Sequence, residues 1–151
     1  MIPNQMVKWV MPAGTQPQTL GTGSFTATNA HVDTAGFSHA TAIFMVAATT
    51  GAITDGSLLV QESDTTTDGD FATITTPVTS VVATEPGAGD DNKLYSWEIP
   101  LGGTRKRYLR VRATENATGS GIYGVIWCLS RAAQAPNTAT EKGVANNILI
   151  A

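Results

Sequence analysis

A single cysteine, Cys128, leaves the 151 residues without a second thiol, so an internal disulfide, a redox pair and a zinc knuckle are excluded. Charge is also scarce: Asp, Glu, Lys and Arg make up 14% of the chain, against about 25% in an average soluble domain. The balance is acidic, with a net charge of −3, which argues against a general nucleic-acid binder and its basic surface. No stretch approaches the ~18 apolar residues that a membrane span needs. Residues 1–14 hold only Val7, Trp9, Val10 and Met11 as a broken apolar run. That run is too short and too polar for a signal peptide, so the expectation is synthesis in a cytoplasm without export. Helical periodicity is missing as well. No long segment repeats apolar residues at i, i+3, i+4 and i+7, and Thr, Val and Gly recur where helix formers would stand.

What is present is an ordinary hydrophobic fraction of 42% in a chain of one-domain length. A chain of this size buries roughly 68–70% of its unfolded surface, enough for a core without staples. Thr, Ala, Gly and Ser take the place of charge. They hydrate weakly and lose little side-chain entropy when covered, which suits a surface that assembles.

Short β-branched and aromatic runs alternate with Gly, Pro, Asp and Asn at intervals of about ten residues, the pattern of an antiparallel sandwich or barrel. The expected strands are Met6–Met11, Ser24–Asn29, His39–Thr49, Ser57–Glu62, Asp70–Thr75, Val78–Thr84, Lys93–Ile99, Lys106–Thr114 and Gly121–Ser130. His39–Thr49 carries the nearly continuous run Ile43–Val46 and is expected to be central and covered on both faces. Both faces of Gly121–Ser130 are apolar too, and the same expectation applies. In Lys106–Thr114, Leu109 and Val111 share one face while Tyr108, Arg110 and Arg112 take the other. The predicted core is Ile43, Phe44, Val46, Leu109, Val111, Ile126 and Leu129. The predicted fold is an all-β antiparallel sandwich, jelly-roll-like, over residues 21–131. An extended N-terminal arm (1–20) and a C-terminal tail (132–151) flank it. The arm is spaced by Pro3, Pro12 and Pro17, and the tail ends in Ile148-Leu149-Ile150. An apolar tip on a polar tail suggests docking on a sheet edge, its own or a neighbour's.

Chemistry is thin. His31, Asp33 and His39 outline a metal site only superficially, since the spacing does not force them to converge. Glu62, Asp64, Asp68 and Asp70 offer oxygen ligands for calcium, but the spacing departs from the EF-hand loop and suits a solvated turn. Glu98 with one of these carboxylates lacks support as a glycosidase pair. Gly21-Thr22-Gly23 is followed by no Lys-Ser/Thr and is not a phosphate loop. Asn116-Ala117-Thr118 matches a glycosylation sequon that has no meaning without export. No catalytic residue, cofactor or metal ligand is assigned.

Five of the nine basic residues lie between Thr104 and Arg112: Arg105, Lys106, Arg107, Arg110 and Arg112. Without exposed aromatics to stack bases, they suit carboxylates better than nucleic acid. Those carboxylates belong either to a partner or to the loop bearing Glu85, Asp90 and Asp91. The candidate partner interface is therefore Trp9 and Met11 of the arm, with Arg105, Arg107, Arg110 and Arg112.

Leu58-Leu59-Val60-Gln61-Glu62-Ser63-Asp64, Asp70-Phe71-Ala72-Thr73-Ile74, Val78-Thr79, Arg107-Tyr108-Leu109-Arg110-Val111 and the strand Tyr123–Leu129 resemble the capsid cement, or head decoration, proteins of tailed bacteriophages. The resemblance spans roughly residues 37–130 and rests on strand and turn patterns. It implies a β-sandwich on the outside of the head that bridges major capsid subunits and holds the shell against internal pressure. The protein itself is expected to be a homo-oligomer, dimer or trimer, with no membrane or direct nucleic-acid contact. The alternatives are a tail or fibre component, or a sugar-binding jelly roll with Trp97 or Trp127 as its platform.

Overall fold

A computed structural model describes residues 7–12, 18–20, 24–25, 31–51, 53, 57–76, 79–82, 86–114 and 121–132. The expected strand residues 6, 26–29, 78 and 83–84, the loop 115–120 and the tail beyond 132 lie outside these. The strands are β1 (Val7–Val10), β2 (Gln18–Leu20), β3 (Ser24–Phe25), β4 (Val32–Asp33) and β5 (Phe37–Thr49). They continue with β6 (Leu59–Ser63), β7 (Ala72–Thr73), β8 (Leu94–Pro100), β9 (Tyr108–Thr114) and β10 (Gly121–Ala132). Among the described residues there is no α-helix, only a 3-10 turn at Asp68–Asp70.

Two antiparallel sheets of five strands form a sandwich, as the alternation in the sequence predicts. The first runs β1-β10-β5-β8, with β2 also on β10; the second runs β3-β9-β6-β7, with β4 also on β9. Two strands of the first sheet, β1 and β2, therefore come from residues 1–20. The inward faces merge into one core. Ala40, Ala42, Phe44, Val46, Tyr123, Val125, Trp127 and Leu129 face Val32, Leu58, Val60, Leu109, Val111 and Ala113 across it. Alanines at 40 and 42 leave room on β5 for the indole of Trp127, which sits beside Ala42 in register and is fully buried. Tyr123 stacks on Phe44 with centroids 5.3 Å apart and shares a hydrogen bond with Thr49 at 3.2 Å.

Two expectations need correction. β5 and β10 are central in their sheet, but each is covered on its inward face only. Ile43 and Ile126, predicted core residues, are half-buried cross-strand partners on the outward face. Phe44, Val46, Leu109, Val111 and Leu129 are buried as predicted. Second, the described part of Val78–Thr84, residues 79–82, is not a strand. Ser80 replaces the ladder: its hydroxyl donates to the Val60 carbonyl at 2.7 Å and accepts from the Val60 amide at 3.2 Å. The Val82 amide reaches the Leu58 carbonyl at 2.9 Å. A side chain that satisfies both backbone groups of Val60 removes the need for a continuous strand there.

Candidate functional site

The register of the first sheet places its outward residues in rows across β1, β10, β5 and β8. One row is Trp9, Cys128, Thr41 and Glu98. The next is Ile126, Ile43 and Ser96, and alternation past Val10 brings Met11 to its end. A third is Gly124, Met45 and Leu94. Ile122 continues the face along β10. Among the described residues the exposed large hydrophobics are Met11, Met45, Leu94 and Ile122, and all four belong to this one face. Scattered exposed apolar residues are ordinary, whereas a contiguous set on one sheet face marks an interaction surface. Charge is confined to its margin, where Glu98 accepts from Thr41 at 3.1 Å and lies 3.2 Å from His39 Nε2. Burial, with Glu98 nearby, pushes the Cys128 thiol above its ordinary value, so it stays protonated and inert at neutral pH.

The two halves of the candidate interface fall on different sheets. Trp9, half-buried, and Met11, at 59% exposed, lie on the apolar face. The four arginines belong to β9 and the loop before it, and three of them are occupied within the domain. Arg107 grips Asp33 with two bonds, Nε to Oδ1 at 2.9 Å and Nη2 to Oδ2 at 2.7 Å. That fork, with a bond from the Ala35 amide, holds the Asp33 carboxyl below its usual range. Arg105 donates to the Thr76 carbonyl at 2.8 Å and sits 3.5 Å from Glu62. Arg110 is buried under Phe71, where it pairs with Asp68 and donates to Gln61 at 2.8 Å. Arg112 stands opposite Leu59, half-buried, and its Nε has no hydrogen-bond partner among the described residues.

The internal partners are thus Asp33, Glu62 and Asp68. The loop beside Lys93 holds itself together instead: Asp90 pairs with Lys93 and accepts from the Gly87 amide at 2.8 Å, and Asp91 caps the Thr49 amide at 2.8 Å. Glu85 lies outside the described residues.

The remaining candidates are also occupied. His31 packs edge-on to Tyr108 at 5.3 Å and beside Phe71 at 6.1 Å. Asp70 accepts from Thr65 at 2.5 Å. Among the described residues no group of three or more His, Cys, Asp or Glu side chains is placed to hold a metal ion, and no helix is long and apolar enough to cross a membrane. Trp127 is fully enclosed. Trp97 lines a cavity of about 640 Å³ at the β8 edge, its indole nitrogen donating to the Ser80 carbonyl at 2.8 Å. Sequence reasoning missed Met45, Leu94 and Ile122; the second apolar face of β5 and β10 signals Met45 and Ile122, whereas Leu94, alone among polar outward residues on β8, has no such signal.

Compared with known proteins, the chain matches no family model, no curated protein and no solved structure.

Proposed function

We propose that this chain is a virion structural protein, a jelly-roll-like cement module that sits on the outside of a phage capsid and stabilises contacts between major capsid subunits. The observation that supports this reading is the apolar outward face of the first sheet, where Trp9, Met11, Met45, Leu94 and Ile122 gather on one side of the domain. A free domain gains nothing from such a face. A domain that lives on a repeated lattice gains from it at every site, since burial yields about 25 cal/mol per Å². Arg105, Arg107 and Arg110 already have partners within the domain, so burial rather than ion pairing is the stronger route to the shell. On this reading the protein is not an enzyme, takes no cofactor and works as a dimer or trimer without membrane or direct nucleic-acid contact. The sugar-binding alternative is weaker, because Trp127 is enclosed and the Trp97 indole is tied to Ser80.

The test is co-sedimentation of purified protein with undecorated heads. Saturable binding is expected, and Met11→Ser with Met45→Ser is expected to weaken it at least tenfold without unfolding the domain. No binding to heads, or binding indifferent to both substitutions, overturns the proposal.

A further inference from the structure

One edge of the first sheet is open. β8 pairs with β5, and among the described residues no strand covers its other side. The Val46 amide bonds to the Lys93 carbonyl at 2.9 Å and the Leu101 amide to the Ser38 carbonyl at 3.0 Å. Antiparallel alternation between these two points turns the backbone of Tyr95, Trp97 and Ile99 toward β5. The N–H and C=O groups of Leu94, Ser96 and Glu98 therefore point away from the sheet. Folded domains guard such an edge with a lysine, a proline, a bulge or a cover, because its unpaired groups template another strand.

Among the described residues the middle of β8 has none of these guards. Pro100 sits at one end, and Lys93, at the other, is paired with Asp90. The carboxylate of Glu98 reaches back over β5, where it accepts from Thr41 at 3.1 Å and lies 3.2 Å from His39 Nε2. Its charge is thus drawn away from the open side. The register with β5 runs unbroken from Leu94 to Pro100, so no bulge bends the strand aside. Leu94 and Ser96 are exposed and uncharged.

The strand that fits this edge is β8 itself. Its outward side is mixed, with Leu94, Ser96 and Glu98, and its inward side carries the half-buried Tyr95 and Trp97. We propose that the protein dimerises by antiparallel pairing of β8 with β8 of a second copy, about a twofold axis at Ser96. In that register Ser96 stands opposite its own counterpart, and Leu94 stands opposite the second copy's Glu98. Every outward N–H and C=O from Leu94 to Glu98 then finds a partner. On the inward side Tyr95 meets the second copy's Trp97, an aromatic cross-strand pair that occurs twice. Other registers lose this fit. A shift of two residues one way sets Leu94 against Pro100, which cannot donate. A shift the other way sets Glu98 against Asn92, whose φ of 62° is not extended. A contact of this isologous kind closes at two copies. The axis is perpendicular to the sheet, so the apolar outward faces of both copies look the same way. The pairing belongs to the free protein and is independent of the shell-binding proposal.

Sedimentation equilibrium of the full chain tests it, and a monomer–dimer equilibrium is expected. Because residue 96 lies opposite itself, Ser96→Lys or Ser96→Asp sets like charges face to face, and each should weaken dimerisation at least tenfold. Both should keep the parent's far-ultraviolet circular dichroism, since Ser96 is exposed and its backbone faces away from β5. Mixed in equal amounts, the two variants should pair with each other. Ser96→Pro removes only the N–H that faces the second copy and should also give a folded monomer. A parent chain that stays monomeric at every concentration overturns the proposal. So does a dimer or trimer indifferent to all three substitutions, or a mixture in which the folded Lys and Asp variants fail to pair.

Discussion

Arg110 sits over Phe71, its guanidinium carbon 4.2 Å from the ring centroid, while its Nε donates to Gln61 and its two terminal nitrogens reach the carboxylate and carbonyl of Asp68. This contact fastens the turn at Asp68–Asp70 onto the outer face of the second sheet. Arg110→Ala removes the stack and leaves the Gln61 and Asp68 acceptors without their donor. A loss of about 2 kcal/mol in urea unfolding is expected. Arg110→Lys keeps the charge but cannot span both acceptors and should fall between. An unchanged midpoint for Arg110→Ala would refute the assignment.

The close approach at Gly121 gives a second expectation. A Cβ built there collides with the Tyr123 ring, and Tyr123 is itself fully enclosed against Phe44. Gly121→Ala must push the ring into a packed core and should cost about 1–3 kcal/mol. Gly69→Ala meets nothing within 4 Å and serves as the neutral control. Equal stability of the two variants by denaturant titration would contradict the packing described.

Asp33 makes stability depend on pH. The Arg107 fork lowers its pKa in the folded state below the ordinary 3.8. The protonated form is thus disfavoured by folding, and the contribution is fully present above pH 3.8 and lost as pH falls through the lowered value. Asp33→Asn should therefore melt lower than the parent at pH 6, with the gap closing between pH 4 and pH 2. A gap constant over that range would show that the carboxylate's charge is not what holds Arg107.

Much of this fold is legible in the alternation of the sequence, and the reasons for the exceptions are physical. Leu109 and Val111 alternate with Tyr108, Arg110 and Arg112, and that one-sided pattern locates β9 and its core face without ambiguity. Ile43 and Ile126 belong to runs that are apolar at every position. Such a run has the same pattern whether its second face is covered by its own chain or left outward, so the pattern alone places both isoleucines in the core. The arginine partners depend on register between strands far apart in sequence: Gln61 stands opposite Arg110 only because β6 pairs with β9. Ser80 illustrates the same limit, since a hydroxyl that substitutes for a ladder leaves no periodic trace.

Internal pairing of the arginines also sets the response to salt. With Arg105, Arg107 and Arg110 engaged internally, shell binding through the apolar face should survive 1 M salt, where the Debye length falls to about 3 Å. Binding that collapses between physiological and 1 M salt would move the interface to exposed charges.

The central claim is tested most directly by measuring affinity for assembled, undecorated shells beside affinity for the dissociated major capsid subunit. Strong, saturable binding to the shell and poor binding to the single subunit are expected, because modest contacts are repeated over a lattice. Equal affinity for both, or binding to neither, would contradict it.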